Sequence, residues 1–278
     1  VPGRRYRQLL VCLLSLAATA WMRGQEPKQM AITFDDLPFA YPGALTIAEQ
    51  RDAVGRVLET LDTHRVTAAM FVVGVSVTDA NRELVDAVVR RGHTIGSHSF
   101  SHRDLGTVEA EDYILDIQRN TAVITPWLKG VQYFRYPYLR QGNTADKRDA
   151  VLDWMASRGI VVAPVTIDNQ DFAYNQRLVD AKAAGRTIDV RDEYLKHMVE
   201  TASHYDAKGR AKVGRPIRHV LLLHLNYLNS LYLDDLLQRF RADGWSFISF
   251  EDALKDEVYR LKYDYAGAQG AGHLDAIK

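Results

Sequence analysis

Five short stretches carry the side chains best able to do chemistry. Asp35 and Asp36 are adjacent at the end of the apolar run Ala31 to Phe34; His98 and His102 frame HSFSH; Arg135 lies in FRYPY; Asp168 and Asp171 lie in TIDNQDF; His224 closes VLLLH. A spacing of four lets two imidazoles face one point from a helical turn or tight loop, and neutral imidazole nitrogen is a good ligand for Zn²⁺ and its neighbours. With one carboxylate the two histidines make a three-ligand set that leaves positions for water and substrate, as catalytic rather than structural metal sites do. Adjacent carboxylates repel, but a divalent charge offsets the repulsion if one of them ligates it. The other can then take a proton from a water whose pKa the cation lowers. Arg135 is available to hold that base ionised and oriented. Cleavage of an amide or ester also needs a proton for the leaving group. His224 can supply it if a carboxylate keeps it protonated, and Asp168 is the expected partner. Taken singly, each feature has an ordinary structural explanation: a turn or helix N-cap for Asp-Asp, a surface or core position for the histidines. Their joint placement argues for a site.

That placement depends on the elements between them. Apolar runs predict strands at 29–34, 68–73, 93–98, 131–136, 159–167, 218–225 and 245–250. Helical periodicity predicts helices at roughly 46–63, 79–91, 109–127, 144–158, 188–205, 231–243 and 251–261. Such alternation implies parallel strands with helices outside, in an α/β fold. About seven units suggest a barrel, complete or broken, with an open sheet as the alternative. The length of 278 residues suits a single domain. All five stretches then fall at the carboxyl ends of strands, where βα loops converge. One connection breaks the rhythm. An extended insertion at about 173–218 is longer than an ordinary βα loop and carries Arg210, Lys212, Arg215 and Arg218. It reads either as a solvated charged face or as a lid beside the substrate. Residues 263–278 read as a C-terminal tail.

The N-terminus is of another kind. Arg4, Arg5 and Arg7 precede an apolar run over 9–20 that ends Ala18-Thr19-Ala20, the pattern of a signal peptide spanning 1–20. Export to the periplasm or the exterior follows, with no transmembrane span in the mature chain. Cys12, the single cysteine, would leave with that segment, excluding disulfides and Cys-ligated metal. Basic and acidic residues balance at 35 each, so no charge bias points to nucleic acid.

In this order the five stretches resemble the motifs of the polysaccharide deacetylases of carbohydrate esterase family 4, the NodB-homology domain. Thr33-Phe34-Asp35-Asp36 matches T-F-D-D, His98-Ser99-Phe100-Ser101-His102 matches H-[ST]-x-x-H, and Arg135-Tyr136-Pro137-Tyr138 matches R-x-P-[YF]. Asp168 to Phe172 resembles D-x-x-D-W, and Leu221 to His224 matches L-x-L-H. The resemblance implies a distorted (β/α) barrel and a catalytic domain over 27–262 that removes N- or O-linked acetyl groups from sugars with the help of a divalent metal. Zinc is the expected metal, and Co²⁺, Mn²⁺ or Ni²⁺ suit the same ligands. By position it implies Asp35 as general base and Asp36, His98 and His102 as metal ligands. Arg135 would orient Asp35, and His224 would be the general acid tuned by Asp168. The backbone N–H of Tyr136, or of Tyr138, would face the oxyanion, and Leu222 and Phe172 would wall the pocket for the acetyl methyl. The implied partner is an acetylated glycan, whether peptidoglycan, chitin-like or xylan-like. Two departures, Phe172 in place of the family's usual Trp and the length of 173–218, keep open a non-sugar amide, imide or acyl substrate. A catalytically inactive glycan-binding relative is a reading from another class, opposed by the intact base, acid and ligands. An Fe(II) oxygenase fits the ligand types but leaves the base, arginine and acid unused.

Overall fold

The computed structural model describes residues 27–43 and 45–278, so the expected signal segment lies outside it. The strands are β1 (Lys28–Leu37), β2 (Ala69–Val72), β3 (Thr94–Ser97), β4 (Gln132–Phe134), β5 (Ile160–Val162), β6 (Arg218–His224) and β7 (Trp245–Phe247). The helices are α1 (Ile47–His64), α2 (Arg82–Arg90), α3 (Ala110–Ile124), α4 (Ala145–Ala156), α5 (Asp171–Ala183), α6 (Arg191–Val213), α7 (Tyr227–Ala242), α8 (Phe250–Ala253) and α9 (His273–Ala276). The strands form one seven-stranded sheet in the order β5-β4-β3-β2-β1-β6, with β7 also on β1, and every pairing is parallel. Along one edge of β1, Gln29–Asp35 pair with Arg218–His224; the other edge is shared by β7 at its start and β2 at its end.

A single extended segment brings the two ends of this sheet together. Ile160–Val162 pair with β4, and the Ala163 amide still bonds the Phe134 carbonyl. Pro164 has no N–H to continue the ladder. Beyond it, Ile167 bridges to Leu221 of β6, with Thr166 and Ile167 both donating to the Val220 carbonyl at 3.0 Å. The ring is a distorted (β/α) barrel, interrupted where this segment changes partners.

The two-residue period of the strands sorts side chains between two cores. On β1, Met30, Ile32 and Phe34 face outward and pack with Val54, Leu58 and Leu61 of α1 and Leu233, Leu236 and Phe240 of α7. Ala31 faces inward among Ala69, Phe71, Tyr133, Val220 and Phe250. Phe250 stands edge-on to Phe71 at 6.0 Å and to Tyr133 at 5.1 Å, filling the barrel from the amino ends of its strands. One and two steps further along the same inward rows come Thr33 and Asp35 on β1, Arg135 beyond β4, and Leu222 and His224 on β6. Apolar filling thus gives way to ionisable groups at the carboxyl end of the barrel.

The long connection is helical. The reading of 188–205 as helix is extended to Val213, and α5 was not expected. Its buried face includes Asp171 and Asn175 besides Leu178 and Val179, so polar residues break its apolar period. Neither helix is a lid: α6 packs Tyr194, Met198 and Ala202 into the main outer core. The basic residues of 173–218 are largely spent locally, Arg210 on Asp206 and Arg215 on Asp256. Residues 263–278 are not a free tail. Tyr263 bridges Ile277, and Leu274 and Ile277 pack with Ile217 and Val258. No helix among the described residues is long and apolar enough to cross a membrane.

Gly96 faces inward on β3, and a Cβ there would stand 2.5 Å from two ring carbons of Phe71 and 3.2 Å from the Tyr133 carbonyl. Gly96→Ala is expected to lower the unfolding free energy by about 1–3 kcal/mol, read by urea denaturation.

Candidate active site

A regular strand would send Asp35 and Asp36 to opposite faces. The β1–β2 register shifts between Phe34 and Leu37, and Asp36 takes the left-handed conformation with φ 63°. This bulge turns both carboxylates toward one point. His98 Nε2 lies 3.7 Å from Asp35 Oδ2 and 3.6 Å from Asp36 Oδ1. Bulges are common beside active sites because they re-aim a side chain in this way.

The two carboxylates then differ in their partners. Asp35 Oδ1 accepts from Arg135 Nη1 at 3.1 Å. The guanidinium is wholly buried, lies 4.4 Å over the Phe71 ring, and also donates to the Ala163 carbonyl at 2.8 Å and to Thr33 Oγ1 at 3.3 Å. Asp36 turns to the histidines, with its Oδ1 3.2 Å from His102 Nε2. Burial alone would raise the Asp36 carboxyl, but the His102 contact and the neighbouring His98 and His224 together hold it well below the ordinary carboxylate range.

Donor atoms of Asp36, His98 and His102 all lie within 4.8 Å of one another. His98 Nδ1–H donates to the Arg135 carbonyl at 2.8 Å, which leaves the Nε2 lone pair for a ligand. Burial lowers the His98 pKa and keeps the ring neutral. Asp36 Oδ1 is buried without a hydrogen-bond partner among the described residues. An orphaned carboxylate oxygen facing two imidazole nitrogens is a donor set that suits a divalent cation. The loop between the histidines is held from outside. Asp116 of α3 accepts from the Phe100 and Ser101 amides at 2.9 and 3.1 Å and from Ser101 Oγ at 2.5 Å. Ser99 and His102 both have positive φ, at 61° and 55°. The sequence reading missed Asp116, although an acid on the apolar face of α3, beside Tyr113, Ile117 and Asn120, is a readable signal.

On β6, His224 Nδ1 meets Asp171 Oδ1 at 2.6 Å, and the His224 amide donates to Asp171 Oδ2 at 2.9 Å. Burial would lower the ring's pKa, but the Asp171 charge and hydrogen bond more than offset this and raise it to about 9. The expected partner, Asp168, does not make this contact. The Asn169 side chain explains the exchange: it donates to the Leu222 carbonyl and accepts from the Asp171 amide, folding the turn so that the first residue of α5 faces β6. Asp168 stays half-buried beside that turn, and burial raises its pKa to about 6. Both aspartates stand in the same short stretch, and nothing in their spacing separates them.

Leu222 is buried one inward step below His224. Tyr136 turns its ring away into a cluster with Tyr113 and Phe134, so only its backbone can face the site. Three exposed aromatics stand around the mouth: Tyr138 edge-on to His102 at 4.6 Å, Phe172 at 6.1 Å from His224, and Tyr41 at 6.0 Å from His224. Tyr41, in an irregular loop after β1, carries no sequence signal.

This barrel, with a carboxylate and two histidines at its mouth, has known counterparts. A family model described as "Polysaccharide deacetylase" matches residues 23–177, more than half of the chain, and the chain belongs to that family. A peptidoglycan-N-acetylglucosamine deacetylase of Bacillus cereus is 28% identical over 175 residues, covering 62% of this chain and 57% of that protein. One of Listeria monocytogenes is 38% identical over 242 residues, covering 84% of this chain and 40% of that protein. The chain thus spans less than two thirds of either curated relative. Among solved structures, the chitin deacetylase of Colletotrichum lindemuthianum shares the fold with a TM-score of 0.55 at 20% identity, over 84% of this chain and 89% of that one.

Apo protein titrated with Zn²⁺ or Co²⁺ is expected to take up one ion per chain, measured by calorimetry and elemental analysis. Asp36→Ala and His102→Ala should each abolish this uptake without altering the far-UV spectrum.

Proposed function

We propose that this chain is an exported, metal-dependent hydrolase that removes acetyl groups from a glycan. The proposed substrate is a glycan containing N-acetylglucosamine, since both curated relatives are named as peptidoglycan-N-acetylglucosamine deacetylases. One observation carries the reading: a carboxylate steadied by a buried arginine stands beside a three-ligand donor set, and a histidine paired with a buried aspartate stands on an adjacent strand.

Asp36, His98 and His102 would hold the cation, which when bound would supply Lewis-acid polarisation of the acyl oxygen and lower the pKa of a water. Asp35 takes the proton of the attacking water at Oδ2, while Arg135 keeps Oδ1 engaged and holds the carboxylate in place. The Tyr136 amide, which has no hydrogen-bond partner among the described residues, donates to the developing oxyanion. His224 gives its Nε2 proton to the departing amine or alcohol, and Asp171 stabilises the imidazolium before transfer. Leu222 and Phe172 bound the space for the acetyl methyl, and Tyr138 and Tyr41 offer faces for sugar rings.

Hydrolysis by metal-loaded protein is the test, read as acetate release from peptidoglycan, chitin oligomers and acetylated xylan and as ring opening of small cyclic imides. Asp35→Asn should lower kcat by roughly 10²–10⁴-fold with metal content unchanged. Near-wild-type turnover by that variant would remove Asp35 from the role of base, and ring opening of the imides with no acetate released from any glycan would overturn the glycan reading. The acid form of His224 persists up to its raised pKa of about 9, so activity should fall as pH rises through the alkaline limb. Asp171→Asn removes the charge that raises this pKa, so the limb should move to lower pH.

A further inference from the structure

The carboxylate that holds His224 is itself held. Asp171 is wholly buried, and its Oδ2 accepts from Asn229 Nδ2 at 2.8 Å as well as from the His224 amide. The same Asn229 Nδ2 donates to the His224 carbonyl at 2.8 Å. One side-chain amide thus bridges the carboxylate and the peptide of the histidine it serves. The remaining Asn229 atom, Oδ1, accepts from Tyr194 Oη at 2.7 Å. Tyr194 and Asn229 are 0% and 1% exposed. A buried amide with both ends committed has a single orientation, because exchanging O and N would set a carbonyl against a carboxylate. Tyr194 belongs to α6, in the long 173–218 connection to which the catalytic reading gives no task.

We propose that Asn229 and Tyr194 are positioning residues for proton delivery by His224. Tyr194 orients the Asn229 amide. Asn229 fixes Asp171 and the His224 peptide together, so that Nδ1–H is committed to Asp171 and Nε2 is presented to the leaving group. In the step served, the Nε2–H bond breaks and an N–H bond forms on the departing amine. The C–N bonding pair goes to that nitrogen, and the imidazolium becomes neutral imidazole. The proposal rests on the reading of His224 as general acid and adds the inserted helix to it.

The test compares Asn229→Leu, Tyr194→Phe and His224→Ala with wild type, each as metal-loaded full chain. Two substrates are used: an N-acetylglucosamine oligomer, whose amine needs a proton to leave, and 4-nitrophenyl acetate, whose phenolate leaves without one. Asn229→Leu should lower kcat on the oligomer by roughly 10- to 100-fold, because a misplaced acid loses its in-line geometry. KM and 4-nitrophenyl acetate turnover should stay within about threefold, since uniform binding and metal loading are untouched. Tyr194→Phe, which removes one oxygen, should show the same selectivity with a smaller loss, and it serves if Asn229→Leu does not fold. In a His224→Ala background, Asn229→Leu should add nothing. Equal loss on both substrates, or a further loss in that background, overturns the proposal. A second readout does not depend on activity. In long-range ¹H–¹⁵N spectra of metal-free protein, assigned with His224→Ala, the Nδ1–H of His224 should exchange slowly in wild type and rapidly in Asn229→Leu. Unchanged exchange overturns the positioning role even if the oligomer is not a substrate, whereas an inert wild type with the expected exchange overturns only the functional reading.

Discussion

The burial of the Arg135 guanidinium inside the barrel is the constraint on which the rest depends. Removing a cation from water costs several kcal/mol even after relaxation, and breaking a buried pair by deleting one partner typically costs about 3–5 kcal/mol. The site answers that cost with the Asp35 carboxylate, the Ala163 carbonyl, Thr33 Oγ1 and the face of Phe71. Each partner has a second consequence. The Ala163 bond ties down the segment that leaves β4 for β6. The Asp35 bond sets one carboxylate apart from its neighbour. The backbone carbonyl of Arg135 takes His98 Nδ1–H and so determines which imidazole nitrogen faces the candidate cation site. Barrel closure, the orientation of Asp35 and the tautomer of His98 meet at one residue.

Around that centre the backbone accepts conformations that side chains ordinarily avoid. Asp36, Ser99, His102, Tyr138 and Leu139 all have positive φ, each worth on the order of 1–3 kcal/mol of strain. They persist because the surroundings over-determine them: the β1 bulge for Asp36, Asp116 for the histidine loop. Strained residues concentrated at the mouth, with regular structure beneath, mark where the fold gives up local comfort for geometry.

The two halves of the site differ in how they relate to the family. The family match over 23–177 includes the proposed base Asp35, the three candidate ligands, Arg135 and Asp171, but ends before β6. His224, Asn229 and α6 lie beyond it. In that region the long connection, first read as either a solvated surface or a lid, proves to be outer-layer helix whose Tyr194 reaches the same network as the histidine.

The sequence by itself determined the alternation of strands and helices and the residue types at strand ends, because periodicity and ligand spacing are local properties of the chain; strand count left a choice of barrel or open sheet, and the motif resemblance pointed to the barrel. It also named Asp35, Asp36, His98, His102, Arg135 and His224 as one set. It could not show that a bulge brings two adjacent carboxylates to one face, since a bulge is a mismatch between two strands. It could not choose Asp171 over Asp168, because the Asn169 bridge to Leu222 spans elements far apart in sequence. It missed α5, whose buried face is polar, and the packing of 263–278, whose few apolar residues matter only against Ile217 and Val258. Those points belong to tertiary structure for one reason: each depends on which distant backbone group a side chain meets, and that contact exists only once the barrel has closed.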